Sequence, residues 1–402
     1  MAAPAAPAAP VDPLTGVEAA RFGVYVHFPF CLSKCPYCDF ASTAAKEVPE
    51  ERYARAVLRE LEMRLQARPE LSGKRAQSLY FGGGTPSLWS VRHVAGVLES
   101  LAARVGLQAG AEVTLEANPG ASDASRFRGY REAGINRLSI GVQSFQPETL
   151  KALGREHDGP AAERAYAAAR EAGFDNVSLD LIYGVHGQTL EQVERDAGRA
   201  AALEPDHLSA YALTLEKEAL AEEVPLAKQL ARGEVQLPED GVVVRMGRAA
   251  AERFGERGIG RYEISNYARP GRHSRHNALY WTGGEYLALG VGATGTVGGE
   301  RWSNDRSAER YLKRVEAGEL PVASSESLGR RELFEERVAM GLRLVAGIDL
   351  EETCRAFGEP FQPRAEKAAR YAARGLARWD GRRLALTDEG ADLHSAVSAD
   401  LF

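Results

Sequence analysis

FPFCLSKCPYCDF, residues 28–40, overlaps the end of an apolar run, Val24-Tyr25-Val26-His27-Phe28, and sets Cys31, Cys35 and Cys38 in a C-x3-C-x2-C array. The chain of 402 residues has four cysteines, and three of them fall in this one short stretch. A structural zinc site takes four N or S ligands, and no fourth cysteine completes the array. Three thiolates can instead hold a cubane iron–sulfur cluster and leave one iron without a protein ligand, open to a small molecule. The expectation is a 4Fe–4S cluster whose open iron is chelated by S-adenosylmethionine, with radical chemistry as its output. Chance clustering of buried or redox-active cysteines is the alternative.

Outward from the cysteines the chain repeats one theme: short apolar runs, then Gly/Pro/polar turns, then amphipathic stretches. Strands are expected near 23–28, 77–81, 112–116, 136–141, 176–181 and 207–213. Helices are expected between them, near 49–67, 90–105, 122–133, 158–172 and 189–203. In the first helix Ala54, Val57, Leu58, Leu61 and Leu65 recur at spacings of three and four. Parallel strands need such crossovers, and six units are too few for a closed eight-fold barrel. The fold class is therefore α/β, an open six-stranded (β/α)6 partial TIM-type barrel over residues 21–235.

The unusual groups follow strands one to five in turn. They are the cysteine loop, Gly82-Gly83-Gly84-Thr85-Pro86, Glu116-Ala117-Asn118-Pro119, Gly141-Val142-Gln143-Ser144-Phe145, and Asp180 within LDLIYG. In parallel α/β folds the carboxyl ends of the strands build the site, so these groups should meet in one pocket. Gly82–Gly84 allow close backbone approach and, placed after strand two beside the cysteine loop, suit the amino-acid end of a ligand, although a glycine triplet alone is more often a plain turn. Glu116 suits a ribose diol or an ammonium group; a solvated loop carboxylate is the other reading. Gln143, Arg155 and Asp180 are placed to hold a second ligand or a substrate, and Arg155 would equally suit a surface ion pair.

At these residues the chain resembles a known family. YVHFPFCLSKCPYCDF, FGGGTP, LEANPG, RLSIGVQSF, LGREHDG and DLIYGVHGQT are together similar to the radical SAM enzymes of the oxygen-independent coproporphyrinogen III oxidase group, from about Tyr25 to beyond Trp281 and more loosely to the C-terminus. The resemblance implies that Cys31, Cys35 and Cys38 hold the cluster and that Tyr25, Gly83 and Glu116 contact a first S-adenosylmethionine. It places Tyr37, Gly84, Thr85, Gln143, Arg155 and Asp180 near a second ligand position, which a further S-adenosylmethionine occupies in the oxidases. The oxidases carry another cysteine two residues past the third, where this chain has Asp39-Phe40, and an ordered N-terminal segment where it has an Ala/Pro tract. Both departures point to the heme-chaperone branch of the family, called HemW.

Past the barrel, 240–257 reads as a helix and RYEISNYARP, 261–270, as a strand and turn with Asn266 and Tyr267 at the rim of the site. In His273-Ser274-Arg275-His276-Asn277-Ala278-Leu279-Tyr280-Trp281 the HNxxYW part matches what the resemblance associates with heme. Imidazole ligates haem iron, Asn277 could orient His276, and Tyr280 and Trp281 offer flat faces to a porphyrin. Alternatively His276 and Asn277 cap a turn while Tyr280 and Trp281 pack in the core, and His273 is a second candidate imidazole. LALGVGATGTVGG, 287–299, reads as a strand with close backbone approach. Residues 236–305 form a barrel extension, and 306–402 a mainly helical, winged-helix-like module, which covers the barrel in the resembling family. Its helices are expected at 307–316, 327–344, 350–357 and 362–378, followed by a hairpin turning at Asp380-Gly381. Arg364, Arg370, Arg374, Arg378, Arg382 and Arg383 make its end basic. Acidic neighbours dilute that patch and aromatics are sparse, so it reads as a solvated face rather than a nucleic-acid surface.

Composition agrees with this reading. A formal charge of −6, with 44% hydrophobic and 26% charged residues, is ordinary for a globular protein and argues against a phosphate-backbone binder. Residues 1–20 read as a disordered tail in which prolines at 4, 7 and 10 exclude a signal-peptide core. No run approaches the ~18 apolar residues of a membrane span. Thiols kept for a cluster imply a reducing, cytoplasmic compartment, and Cys354, alone in a helical pattern, reads as a core residue. Three functions compete: a cytoplasmic heme chaperone passing heme to acceptor proteins, a radical oxidative decarboxylase of coproporphyrinogen III, and an RNA-modifying radical enzyme.

Overall fold

The computed structural model describes residues 22–119, 124–215 and 224–402. The Ala/Pro tail, expected to be disordered, and the first residues of the helix expected at 122–133 lie outside them. The strands in chain order are β1 (Phe22–Phe28), β2 (Phe30–Cys31), β3 (Thr43–Ala44), β4 (Ala76–Gly83), β5 (Leu107–Ala117), β6 (Arg137–Gln143), β7 (Val177–Tyr183) and β8 (His207–Ala212). Then come β9 (Gly260–Glu263), β10 (Asn266–Ala268), β11 (Glu285–Gly290), β12 (Thr294–Val297), β13 (Glu300–Asn304) and β14 (Val322–Ser327), with β15 (Ile348–Asp349), β16 (Ala377–Trp379) and β17 (Arg383–Leu386) near the C-terminus. The six expected strands are β1, β4, β5, β6, β7 and β8, parallel and adjacent in that order. Because every crossover steps the same way, right-handed connection puts the helices on one face and aligns the strands' carboxyl ends at one edge.

Local sequence explains the helices. Glu50–Ala67 has Glu50 and Glu51 in its first turn and Arg64 in its last, which suits the helix dipole, and it buries Tyr53, Ala54, Val57 and Leu61. Leu190–Ala202 starts at a capping box in which Thr189 and Gln192 satisfy each other's backbone N–H groups. β1 is buried at every position but Tyr25, as expected of a central parallel strand covered on both faces.

The sheet is larger than expected, with twelve strands in the order β14-β13-β12-β11-β1-β4-β5-β6-β7-β8-β10-β9. β11 joins the edge of β1 in parallel, and β12 to β14 continue it antiparallel. Three expectations therefore change. The stretch 287–299 is two antiparallel strands, because Gly292 at φ +64 turns the chain between them. RYEISNYARP spans a hairpin, β9 to β10, and the helix expected from 327 starts at Arg330 because Val322–Ser327 pairs with β13.

Phe334, Val338, Ile348, Leu350, Leu384 and Leu401 form a core separate from that of the large sheet, and Cys354 is buried in it. The β16–β17 hairpin turns at Asp380-Gly381, where Gly381 has φ +97 and the Asp380 carboxylate accepts from the Arg382 and Arg383 N–H groups. Arg364, Arg378, Arg382 and Arg383 donate to Leu401, Val345, Asp349 and Ala346 inside this module. Arg364 is thus buried, while Arg378, Arg382 and Arg383 are exposed and tied to acceptors within the module.

Candidate functional site

Short β2 pairs in parallel with β3, which pins both ends of the cysteine loop beside the carboxyl ends of β1 and β4. Cys31, Cys35 and Cys38 are free, partly buried thiols, and all three line one cavity of about 390 Å³. Burial pushes the Cys31 and Cys38 thiols up from their usual pKa. Thr85 Oγ1 donates to Cys31 at 3.5 Å and Arg155 Nη1 to Cys35 at 3.5 Å, while Ser42 Oγ, able to donate to a thiolate, lies 3.8 Å from Cys38. Such surroundings favour sulfur in an anionic state once a positive centre is present.

Tyr37, Gly83, Gly84, Thr85 and Glu116 line the same cavity, as do Gln143, Arg155, Asp180 and Asn277. The glycines are needed for packing within the chain. A Cβ on Gly83, which has φ +114, would lie 2.5 Å from the His27 ring, and one on Gly84 would lie 2.8 Å from the Phe30 carbonyl and 3.0 Å from Cys31 Sγ. Their small size is what lets the cysteine loop sit down on the end of β4.

Glu116 accepts from Tyr80 OH at 2.7 Å and from the Gly83 N–H at 3.0 Å. Burial, reinforced by the charge of Asp180, raises its pKa from 4.5 to about 7 despite those donors. Asp180 is also raised by burial, while Ser139 and Ser178 hydroxyls donate to it. Arg155 ties the walls together, donating to Asn118 Oδ1 at 2.5 Å and to the Gly141 carbonyl at 3.0 Å as well as reaching Cys35. Gln143 sits at φ +64, a strained conformation for a side-chain-bearing residue, at a register break in β6. A Cβ on Gly141 would fall 2.7 Å from Gln143 Nε2 and 3.1 Å from Asn118 Oδ1, so this glycine makes their convergence possible.

Seven sequence candidates do not line the cavity. Tyr25 lies behind it, hydrogen-bonded to His27 and packed on Tyr80 and His276. His276 is 1% exposed. Its Nδ1 meets Ser78 Oγ and its Nε2 meets Tyr280 OH, both at 2.9 Å, and its ring stacks on Tyr80. Burial lowers its pKa from 6.5 to about 3, so the ring is neutral. Trp281 lies under the Arg343 guanidinium at 4.3 Å. Ser274 caps the helix Arg275–Trp281, while Asn277 alone of the HNxxYW group reaches the cavity. His273 packs on Tyr262 with ring centroids 4.5 Å apart. Asn266 and Tyr267, expected at the rim, are buried instead: Asn266 pairs with Glu263, and Tyr267 packs on Phe254.

Sequence reasoning missed Tyr80, Asn118, Arg137, Ser139 and Tyr211, all of which line the cavity. The signal was there for two of them. Stepping back by twos from Gln143 along β6 gives Gly141, Ser139 and Arg137, the inward face of the strand.

Residues 25–200 match the Radical SAM superfamily and residues 328–393 the HemN C-terminal domain. The chain is 37% identical over 390 residues to the heme chaperone HemW of Mycobacterium tuberculosis, covering 96% of this chain and 95% of that one. It is 40% identical over 282 residues to the heme chaperone HemW of Escherichia coli, covering 70% and 71%. Among solved structures, the coproporphyrinogen III oxidase HemN from Escherichia coli, a radical SAM enzyme, superposes with a TM-score of 0.81 at 23% identity, covering 95% of this chain and 90% of that one. That likeness shows a shared fold.

Proposed function

The chain belongs to the HemW group of the HemN-like radical SAM family, and from this premise we propose that it is a heme chaperone that binds heme and a S-adenosylmethionine-linked 4Fe–4S cluster and passes heme to acceptor proteins. The observation that carries the proposal is near full-length similarity to proteins named heme chaperones, with Asp39-Phe40 where the oxidases have a further cysteine. We read the six-stranded unit as an open partial barrel over 21–235, extended by 236–305 and covered by a winged-helix-like module from 306. Among the described residues no helix is long and apolar enough to cross a membrane, and the reading places the protein in the cytoplasm.

The residues present fit the cofactors. Among the described residues no three Cys, His, Asp or Glu side chains are grouped as ligands of a single ion, whereas three thiols spread along one cavity wall suit a multi-iron cluster. Cys31, Cys35 and Cys38 would hold it, and bound S-adenosylmethionine would supply an adenosyl group for radical chemistry. Gly83, Gly84, Thr85 and Tyr37 shape the adjoining wall. Glu116, whose pKa burial raises to about 7, can accept from a ribose hydroxyl or, when protonated, donate to one, and Tyr25 supports it from behind through Tyr80. Arg155 holds Asn118 and the Gly141 carbonyl in place beside Gln143 and Asp180.

For heme, His276 needs no deprotonation to act as a ligand, since its ring is already neutral. Both of its nitrogens are hydrogen-bonded, so ligation would require Tyr280 and the helix Arg275–Trp281 to swing outward, with Asn277, Tyr280 and Trp281 then framing the porphyrin. The test is heme titration of the full-length protein with a reconstituted cluster, beside His276→Ala and His273→Ala, with an anaerobic protoporphyrinogen assay on the same samples. The expected result is wild-type binding, a loss of at least tenfold in His276→Ala and no decarboxylation. A wild type that carries its cluster and binds no heme overturns the chaperone reading, and turnover would favour the oxidase.

A further inference from the structure

The cavity extends inward from the cysteine loop to Arg137, the first residue of β6, a part of the site that the reading above does not use. Arg137 is 2% exposed, yet among the described residues its guanidinium has neither a hydrogen bond nor an ion pair, and its Nε is enclosed without an acceptor. A buried cation without a partner is costly and is rarely kept unless a partner arrives. Each nearby carboxylate is committed elsewhere. Glu112, the strongest attraction on Arg137, accepts from the Arg275 and His276 N–H groups with its two oxygens. Asp180 is held by serines, and Glu116 by Tyr80 and Gly83.

A second orphan lies beside it. Thr114 on β5 is the cross-strand partner of Arg137, and its buried Oγ1 also lacks a partner. Paired positions on adjacent strands point to the same face, so the buried Thr114 hydroxyl lies on the same face as the Arg137 fork of N–H donors, just behind the Arg137 end of the cavity lining. A trapped water would satisfy the hydroxyl, whereas the guanidinium, held charged by the field of Glu112 and Asp180, still lacks a matched pair of acceptors for its N–H fork. We propose that this inner end is a carboxylate site, with Arg137 donating two parallel N–H groups to the two oxygens and Thr114 a third hydrogen bond.

Arg137 and Gln143 lie six residues apart at opposite ends of β6, at most about 20 Å at full strand rise and less across the register break before Gln143. The carboxylate is therefore not one held at the cysteine loop. Its source is either a propionate of a porphyrin, which rests on the chaperone reading, or the acid end of a S-adenosylmethionine lying deeper in the cavity, which does not. The full-length protein with its cluster reconstituted is titrated with heme and heme dimethyl ester, and with S-adenosylmethionine and its decarboxylated form, in wild type and Arg137→Gln. In one of the two arms, Arg137→Gln is expected to shrink the preference for the free acid at least tenfold and leave affinity for the carboxylate-free partner within twofold. That arm identifies the source. Thermal melting of the variant beside wild type establishes that it folds. Equal acid preference in wild type and variant in both arms overturns the proposal, as does a wild type that never prefers the acid. Should Arg137→Gln fail to fold, Thr114→Val carries the test: a several-fold weaker acid preference supports the site, and an unchanged one overturns it. A wild type that binds no heme removes the chaperone reading and leaves the S-adenosylmethionine arm intact.

Discussion

Gly84→Ala is expected to damage the cysteine loop from the neighbouring strand. The added Cβ would sit 2.8 Å from the Phe30 carbonyl oxygen, 2.9 Å from the Pro29 carbonyl carbon and 3.0 Å from Cys31 Sγ. Two of these atoms are backbone, so no side-chain rotation relieves the clash. Ordinary contact begins near 3.4 Å, so the segment must retreat by about 0.6 Å. Retreat stretches two short hydrogen bonds that tie the segments together, Gly84 N–H to the Phe28 carbonyl at 2.7 Å and Thr85 N–H to the Phe30 carbonyl at 2.9 Å. Overpacking of this kind costs roughly 1–3 kcal/mol, and it moves Cys31, which should lower iron occupancy beyond what lost stability explains. Urea denaturation of the cluster-free protein gives the first quantity; iron and sulfide content after anaerobic reconstitution gives the second. Gly96→Ala is the control, because nothing lies within 4 Å of its Cβ in the helix Val91–Arg104, and it should gain up to about 1 kcal/mol. Full iron content in Gly84→Ala, with stability matching the control, would refute the argument.

Two further outcomes follow from the same geometry. The folded-state pKa of Glu116 is raised from 4.5 to about 7, chiefly by burial, so the native state favours the protonated form; that stability is full below the unfolded pKa and is lost as pH rises through 7. Relative to Glu116→Gln, the wild type should therefore lose about 3 kcal/mol between pH 4.5 and 8; a pH-independent difference in urea denaturation would contradict this. Arg155→Lys keeps the charge but cannot span Cys35, Asn118 and the Gly141 carbonyl. It should cost roughly 2–3 kcal/mol and weaken S-adenosylmethionine binding at least tenfold by calorimetry, and wild-type affinity would remove Arg155 from the site.

The six parallel strands, the helices between them and the convergence of strand-end motifs were legible because they rest on local signals: hydrophobic period, turn residues and cysteine spacing. The β13 and β14 strands were not, since Glu300–Asn304 and Val322–Ser327 are polar and pair only because the sheet continues past β11. The HNxxYW group was legible as chemistry but not as position. Its residue types suit heme, yet packing turned His276 inward between Ser78 and Tyr280, and only Asn277 reached the cavity. Sequence by itself determined that three thiols and five strand ends would share a site, because covalent spacing and strand period bring them there in any right-handed parallel fold. Only tertiary structure decided which side chains found partners. Whether Arg137 is satisfied, Glu116 protonated or Gly84 indispensable depends on atoms from distant segments meeting within a few ångströms, and no local pattern encodes that.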